Sequence, residues 1–292
     1  MSESTKSSVI DFKLLSRILS IVENDLDGSD TILQHLTFLN NSILIGVTGP
    51  PGAGKSTLVN ALIDELCNEG KNIAVLAIDP TSPFNFGSLL GDRIRMNTQF
   101  NKTNVFIRSL ATRGSLGGLS GKTIEMSDVL KSFGFDYIFV ETVGVGQSEV
   151  EVAGLADVTI VVLVPESGDE IQNMKSGLME IATVFAVNKA DRPGADDFAN
   201  TLQKAVNQYN KSIPVVKTIA FSNDGIKELV QIILDNRISN QAIKESIITD
   251  RAWKIIQQKR MQDIDKVKLK SDIKKFCHEK DFNLYRFVDK WL

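Results

Sequence analysis

Apolar positions fall into three regimes along the chain. Leu14, Ile18, Ile21 and Val22 recur at helical spacing, Gly28-Ser29-Asp30 interrupts them, and Ile32, Leu33, Leu36 and Leu39 resume, which predicts two helices over residues 11–39. The period then changes to short continuous runs: Ile43–Val47, Ile73–Ile78, Val105–Ile107, Tyr137–Val140, Thr159–Val164, Val184–Val187 and Pro214–Ile219. Strands buried on both faces of a parallel sheet carry this unbroken signature. Segments of helical length, such as Leu58–Leu66 and Gly177–Ile181, separate most of them. The alternation predicts an α/β fold with a doubly wound, mostly parallel sheet. From Gly225 the pattern is helical again and ends in a stripe of Leu284, Phe287, Val288 and Trp291, a core or interface pattern rather than a ligand box. The expected organisation is a helical extension over 1–40, a nucleotide-binding domain over 41–235 and a C-terminal helical extension, a candidate for dimerisation, over 236–292.

Composition narrows the class. The chain has 292 residues, 42% hydrophobic and 24% charged, enough to bury a core in one large domain with appendages or in two domains. A net charge of −3 argues against a general nucleic-acid coat, which needs a basic excess. The charge is uneven: from Arg251 onward 12 Lys/Arg face 6 Asp/Glu, a net +6 that leaves −9 on the rest. That tail reads as a solvated face or a contact for an acidic partner. Two cysteines, Cys67 and Cys277, imply no disulfide framework. Met1 to Asp11 lacks an apolar signal core, and Val158–Val164, the best apolar run, is strand-sized. A cytoplasmic protein is expected, with no membrane and no nucleic acid among its partners.

The chemistry starts at Gly49-Pro50-Pro51-Gly52-Ala53-Gly54-Lys55-Ser56, which fits G-x-x-x-x-G-K-[ST] between a strand and a helix. Glycines let successive backbone N–H groups converge on phosphate oxygens, and the helix N-terminus favours the anion. Lys55 supplies a cation to the β- and γ-phosphates, and the Ser56 hydroxyl suits Mg²⁺. At the end of a later strand stands Asn188-Lys189-Ala190-Asp191. The Asp191 carboxylate can accept from guanine N1–H and the exocyclic amine, whereas adenine leaves it unpaired, a basis for strong discrimination. The third base-site loop departs from the common Ser-Ala, with Ile219 before Ala220.

Tyr137–Val140 runs into Glu141-Thr142-Val143-Gly144. A carboxylate at this strand end reaches the Mg²⁺ shell, and the Gly144 amide can sense the γ-phosphate. Asp79 and Asp92 are further candidates for Mg²⁺ or its waters. Arg108 and Arg113 are the candidate transition-state cations. Gln147 lies too far along the chain for the usual water-orienting place. Cys277-His278 is not spaced for one metal face, and His35 reads as a helix-face residue.

Taken together, Gly49–Thr57, Asp79-Pro80, Arg113–Gly118, Glu141–Glu149 and Asn188–Asp191 resemble the MeaB/ArgK family, over roughly residues 11–235. The resemblance implies a P-loop GTPase, and a homodimeric G-protein chaperone that gates adenosylcobalamin loading into a cobalamin-dependent acyl-CoA mutase and protects it. It implies Mg²⁺ as cofactor, with GTP as substrate and GDP as product. Carried over position by position, Gly49, Gly52, Ala53, Gly54, Lys55, Ser56, Thr57 and Gly144 match the phosphate site. Asn188, Lys189 and Asp191 match the base site; Ser56, Asp79, Asp92 and Glu141 match the metal and hydrolysis positions. Pro165–Glu170, with Lys175 beyond, resembles the loop through which the family couples to its mutase. Two rival classes are a metal-insertion NTPase, disfavoured by only two histidines, and a phosphotransferase (transport-system kinase), for which no acceptor site is visible. No Asp-x-His-x-x-Gly pattern is present, so the corrinoid is not expected to be held by this chain alone.

Overall fold

Each of the seven apolar runs becomes a strand in the computed structural model, and all seven pair in parallel. The structure describes residues 10–38, 42–79, 99–111, 121–142, 152, 154–167, 179, 182–208, 213–235, 248–249, 252–253, 255–257, 259–261, 263–278, 282–289 and 291. The strands are β1 (Ile43–Thr48), β2 (Ile73–Asp79), β3 (Val105–Ala111), β4 (Tyr137–Glu141), β5 (Val158–Leu163), β6 (Val184–Asn188) and β7 (Val215–Thr218), in the sheet order β3-β2-β4-β1-β5-β6-β7. The chain builds outward from β1 in one direction, returns through β4 and then builds the other way. This places the C-terminal ends of β1 and β4 at the topological switch, where open α/β sheets bind ligands.

Alternation along the strands sorts the core onto two faces. Ile43, Ile45, Val47, Val75, Phe139, Ile160 and Ala186 point to one side and pack with Leu58, Leu62 and Leu66 of α3 (Lys55–Asn68) and Leu229 and Ile233 of α6 (Ile226–Asp235). On the other side Leu44, Leu76, Ile138 and Val140 meet α1 (Phe12–Glu23) and α4 (Gly121–Ser132). Farther along that side, Val161, Phe185 and Val187 meet Phe198, Leu202 and Val206 of α5 (Ala195–Asn207). Fully burying each such side chain contributes about 1.5–3 kcal/mol, so the two-sided burial that makes the strands apolar also drives the layering.

The N-terminal pair α1 and α2 (Ser29–Gln34) belongs to this layer system. Asp11 caps α1 by accepting from the Lys13 and Leu14 backbone N–H groups, both at 3.0 Å. The apolar stripe Leu15, Leu19 and Val22 is buried, and the Phe12 ring lies 5.5 Å from that of Phe106 and 6.3 Å from that of Phe135. Arg108 of β3 donates to Ser20 Oγ at 3.1 Å and to Glu23 at 2.5 Å. This accounts for β3 running past the expected Ile107: Arg108 serves the helix that covers the sheet edge.

By compactness the chain forms two units, Met1–Ser239 and Asn240–Leu292. The second contains α7 (Lys266–Phe276), capped by Asp265, and α8 (Leu284–Val288), capped by Asn283. Within it Phe276, Phe282 and Phe287 cluster, and the Lys268 ammonium sits 5.9 Å from the Trp291 ring. Trp253, Val267 and Tyr285 are exposed. Among the described residues no helix is long and apolar enough to cross a membrane.

Gly46, inside β1, tests the close packing at the centre of the sheet. A Cβ there would come within 2.4 Å of Val152 Cγ1 and 3.1 Å of Ala156 Cβ. Gly46→Ala is therefore expected to lower stability by about 1–3 kcal/mol, and Val152→Ala to recover part of that loss. Denaturant unfolding of the two single mutants and the double mutant checks this: strictly additive losses would contradict the close approach.

Candidate functional site

β1 ends at Thr48 and the chain turns through Gly49–Gly54 into α3. Two glycines are required here by space as well as by dihedral. A Cβ on Gly49 (φ +137°) would lie 2.0 Å from the Val162 carbonyl oxygen, and one on Gly54 (φ +87°) 2.5 Å from Asn188 Nδ2. The turn thus presses against β5 and β6, and side chains are excluded because there is no room for them. Over it opens a cavity of about 570 Å³ lined by Gly54, Lys55, Thr57, Ala77, Glu141 and Lys189, among others, within the usual size range for small-molecule sites.

Lys55 is buried, and its ammonium donates to the Gly49 carbonyl at 2.8 Å and to the Pro50 carbonyl at 3.0 Å. Ser56, one residue on, donates from Oγ to Glu141 Oε1 at 2.6 Å. This contact bridges the first turn of α3 and the end of β4 across 85 residues of sequence. Glu141 is held by its strand: β4 pairs with β1 up to Val47↔Glu141, and the Thr142 N–H then continues the ladder to the Val47 carbonyl at 3.1 Å. Thr142 Oγ1 donates to Thr48 Oγ1 at 3.2 Å. No motif marks Thr48, and the motif that contains Thr142 says nothing of its side chain; only the fold reveals that the two lock the strand ends together.

Asn188 is buried and its side chain works within the protein. Nδ2 donates to the Ala53 carbonyl at 2.9 Å; Oδ1 accepts from Thr218 Oγ1 and from the Ala220 N–H, both at 3.2 Å. It thereby ties the phosphate turn to both loops at the ends of β6 and β7. Lys189 has φ +57° and donates to the Gly52 carbonyl at 2.7 Å, so its alkyl stem spans the same gap. Asp191 is exposed, on the loop whose Ala190 N–H donates to the Thr218 carbonyl at 3.1 Å.

Arg192 and Glu166 form an ion pair that joins this loop to the one after β5. Hydrogen bonding from the Arg192 guanidinium holds the Glu166 carboxyl below the usual carboxylate range; a bond from its own backbone and the charges of Arg192 and Lys189 act in the same direction. The sequence offers no sign of this pairing.

The structure brings Gly49, Gly52, Ala53, Gly54, Lys55, Ser56, Thr57, Glu141, Asn188 and Lys189 to one sheet edge, with Asp79 closing β2 at the same edge. Arg108 is not part of it; its guanidinium is committed to Ser20 and Glu23. Asp92, Arg113, Gly144, Gln147 and Lys175 lie outside the described residues. His35 closes α2 with its ring on the Thr31 carbonyl, and Cys277 is an exposed C-cap. Among the described residues no three His, Cys, Asp or Glu side chains gather as a metal cluster.

Comparison with known proteins places this geometry. A family model described as methylmalonyl-CoA mutase-associated GTPase MeaB matches residues 15–274. A protein of Pyrococcus abyssi named as a GTPase is 48% identical over 235 residues, covering 78% of this chain and 72% of its own. GTPase ArgK of Escherichia coli is 39% identical over 208 residues, covering 68% and 63%. The crystal structure of an LAO/AO transport system kinase superposes with a TM-score of 0.69 at 24% identity, over 90% of this chain and 86% of that one, a likeness of fold. With the family model spanning most of its length, the chain belongs to the MeaB family of methylmalonyl-CoA mutase-associated GTPases, which are GTP-hydrolysing P-loop proteins.

Proposed function

We propose that this GTPase is a Mg²⁺-dependent G-protein chaperone for a cobalamin-dependent acyl-CoA mutase of the methylmalonyl-CoA mutase type, gating its cofactor loading and protecting it, and working as a homodimer in the cytoplasm. The observation that carries the reading is the Ser56–Glu141 hydrogen bond. It joins the phosphate turn to the end of β4, just before residues 143–150, so in this reading a change at the phosphates is passed along through it. The mutase association in the family's description supports the choice of partner.

In this reading GTP lies along the cavity with its phosphates on the amides of Gly52, Ala53 and Gly54. Lys55 leaves at least part of its carbonyl cage to meet the β- and γ-phosphates. Ser56 Oγ, Asp79, Asp92 and Glu141 form an oxygen-only donor set, the kind Mg²⁺ prefers; the 2.6 Å contact between Ser56 and Glu141 already brings two of them together. When bound, the ion neutralises charge on the β- and γ-phosphates. Water attacks the γ-phosphorus, the bond to the β–γ bridging oxygen breaks, and GDP and phosphate result. Lys55 counters the charge on the transferred group, and the Gly144 amide reads its presence. Asn188 and Lys189 hold the base loop against the phosphate turn, and Asp191 pairs with guanine.

Two outcomes are expected. Adding the cobalamin-dependent acyl-CoA mutase of the same organism to the purified protein should raise phosphate release from GTP at least about tenfold, since partner-supplied groups are worth far more in related systems. Tight GTP binding with no response to the mutase would refute the choice of partner. Asp191→Asn reverses the donor–acceptor pattern presented to the base. It should cut kcat/KM for GTP by about 10²–10⁴-fold and raise it for XTP, whose C2 carbonyl accepts from the new amide. Steady-state kinetics with both nucleotides decides, and unchanged GTP use would place the base elsewhere.

A further inference from the structure

The geometry points to Phe221 as an aromatic platform on which the purine ring of the bound nucleotide stacks, a role that rests on the guanine-nucleotide reading above. Phe221 is 95% exposed, more than any other large apolar side chain among the described residues. Exposed apolar side chains are common singly, so exposure alone decides nothing. What singles out Phe221 is a stiff loop and its position.

The loop is built to hold still. Ile219 and Asp224 form an isolated antiparallel bridge, with the Ile219 N–H on the Asp224 carbonyl at 3.1 Å. The Ser222 N–H returns to the Ile219 carbonyl at 3.0 Å, and its Oγ donates to Asp224 Oδ2 at 2.7 Å. Asn223 (φ +63°) and Gly225 (φ +75°) close the turn in left-handed conformations, and a Cβ on Gly225 would sit 2.1 Å from the Lys217 carbonyl oxygen. Ala220, next to Phe221, is buried. A ring carried on such a turn loses little backbone freedom when something stacks on it, which favours binding.

Its position is beside the base loop. The register Asn188↔Thr218 sends residues 189–191 and 219–221 off the sheet edge side by side. Two bonds lace them, Ala190 N–H to the Thr218 carbonyl and Ala220 N–H to Asn188 Oδ1. A purine paired with Asp191 therefore lies against the loop that carries Phe221. That loop has Ile219, half-buried, where a hydroxyl-bearing residue is common, so its contribution to the base is apolar rather than polar. Every base has a π-face, so stacking adds affinity without choosing among bases. Asp191 chooses the base and Phe221 retains it.

The test uses the full-length protein with Phe221→Ala and Phe221→Trp. Calorimetric titration should show Phe221→Ala weakening GDP and GTP by the same factor, about five- to 150-fold, with the kinetic loss in KM rather than kcat. Its unfolding temperature without nucleotide should not fall, because the ring has no packing to lose. Phe221→Trp should bind as the wild type, and its added emission, read against Trp253 and Trp291, should be quenched by GDP. Wild-type affinity in Phe221→Ala, or an unquenched signal from the introduced tryptophan, would overturn the platform. So would weakened mutase stimulation at unchanged nucleotide affinity, which would make Phe221 a partner contact. If the wild type binds no guanine nucleotide, the nucleotide reading itself fails, and the platform with it.

Discussion

One buried amide sets the geometry of the whole edge. Asn188 donates to the carbonyl of Ala53 and accepts from Thr218 and Ala220, so three segments far apart in sequence meet at one side chain. A buried amide that lost these partners would carry a large desolvation penalty, which makes the three-way junction close to all-or-none. The phosphate turn cannot drift from the base loop without breaking it. Gly54 has no room for a side chain because Asn188 is there. Lys189 adds a second strut at Gly52. In the proposed reading, the distance between a phosphate bound at the turn and a base bound at Asp191 is thus a property of the protein before any nucleotide arrives. Such preorganisation lowers the cost of binding.

A second junction governs change rather than position. Ser56 and Glu141 join α3 to the end of β4, and the Thr48–Thr142 pair locks β4 to β1 just behind them. The two strands are buried and paired with each other up to Glu141. In the proposed reading a phosphate or metal at Ser56 competes for the same hydroxyl and carboxylate. The core behind it is close-packed and stiff, so in that reading the competition is felt at the tip of β4. In that reading a polar contact at the tip of buried strands acts as the switch.

Much of this is legible in the sequence, for a physical reason. Strands covered on both faces must be apolar throughout, so the central strands announce themselves, and Gly49–Ser56 and Asn188–Asp191 are short because the backbone or one side chain does the chemistry. The strand order is not legible, because register is decided by packing between layers and not by any one run. The apolar pattern also makes β3 too short: Arg108 and Ser109 break it, and only the arrival of α1 explains a charged residue there. Arg108 resembles a transition-state cation for the same reason, since sequence shows a charge without its partner. Sequence assigns Asn188 to the base site; the structure shows that its amide reaches out to Ala53, Thr218 and Ala220. The Arg192–Glu166 pair likewise depends on two loops brought together by the sheet.

The distribution of positive charge bears on how such a site hydrolyses GTP. Among the described residues lining the cavity the cations are Lys55 and Lys189. Lys189 donates its ammonium to the Gly52 carbonyl, on the phosphate turn. Arg108 is committed to Glu23, and Arg192 to Glu166. In the proposed reading Lys55 is the cation that meets the γ-phosphate, with the backbone amides of the turn beside it. Phosphoryl transfer depends on compensating charge on the transferred group, and an added arginine is worth orders of magnitude in rate. In the proposed reading such a site holds GTP and hydrolyses it slowly until another group arrives. In the proposed reading that property is useful in itself. A nucleotide state that outlasts each encounter lets the partner, rather than the clock, decide when the Glu141 segment is released.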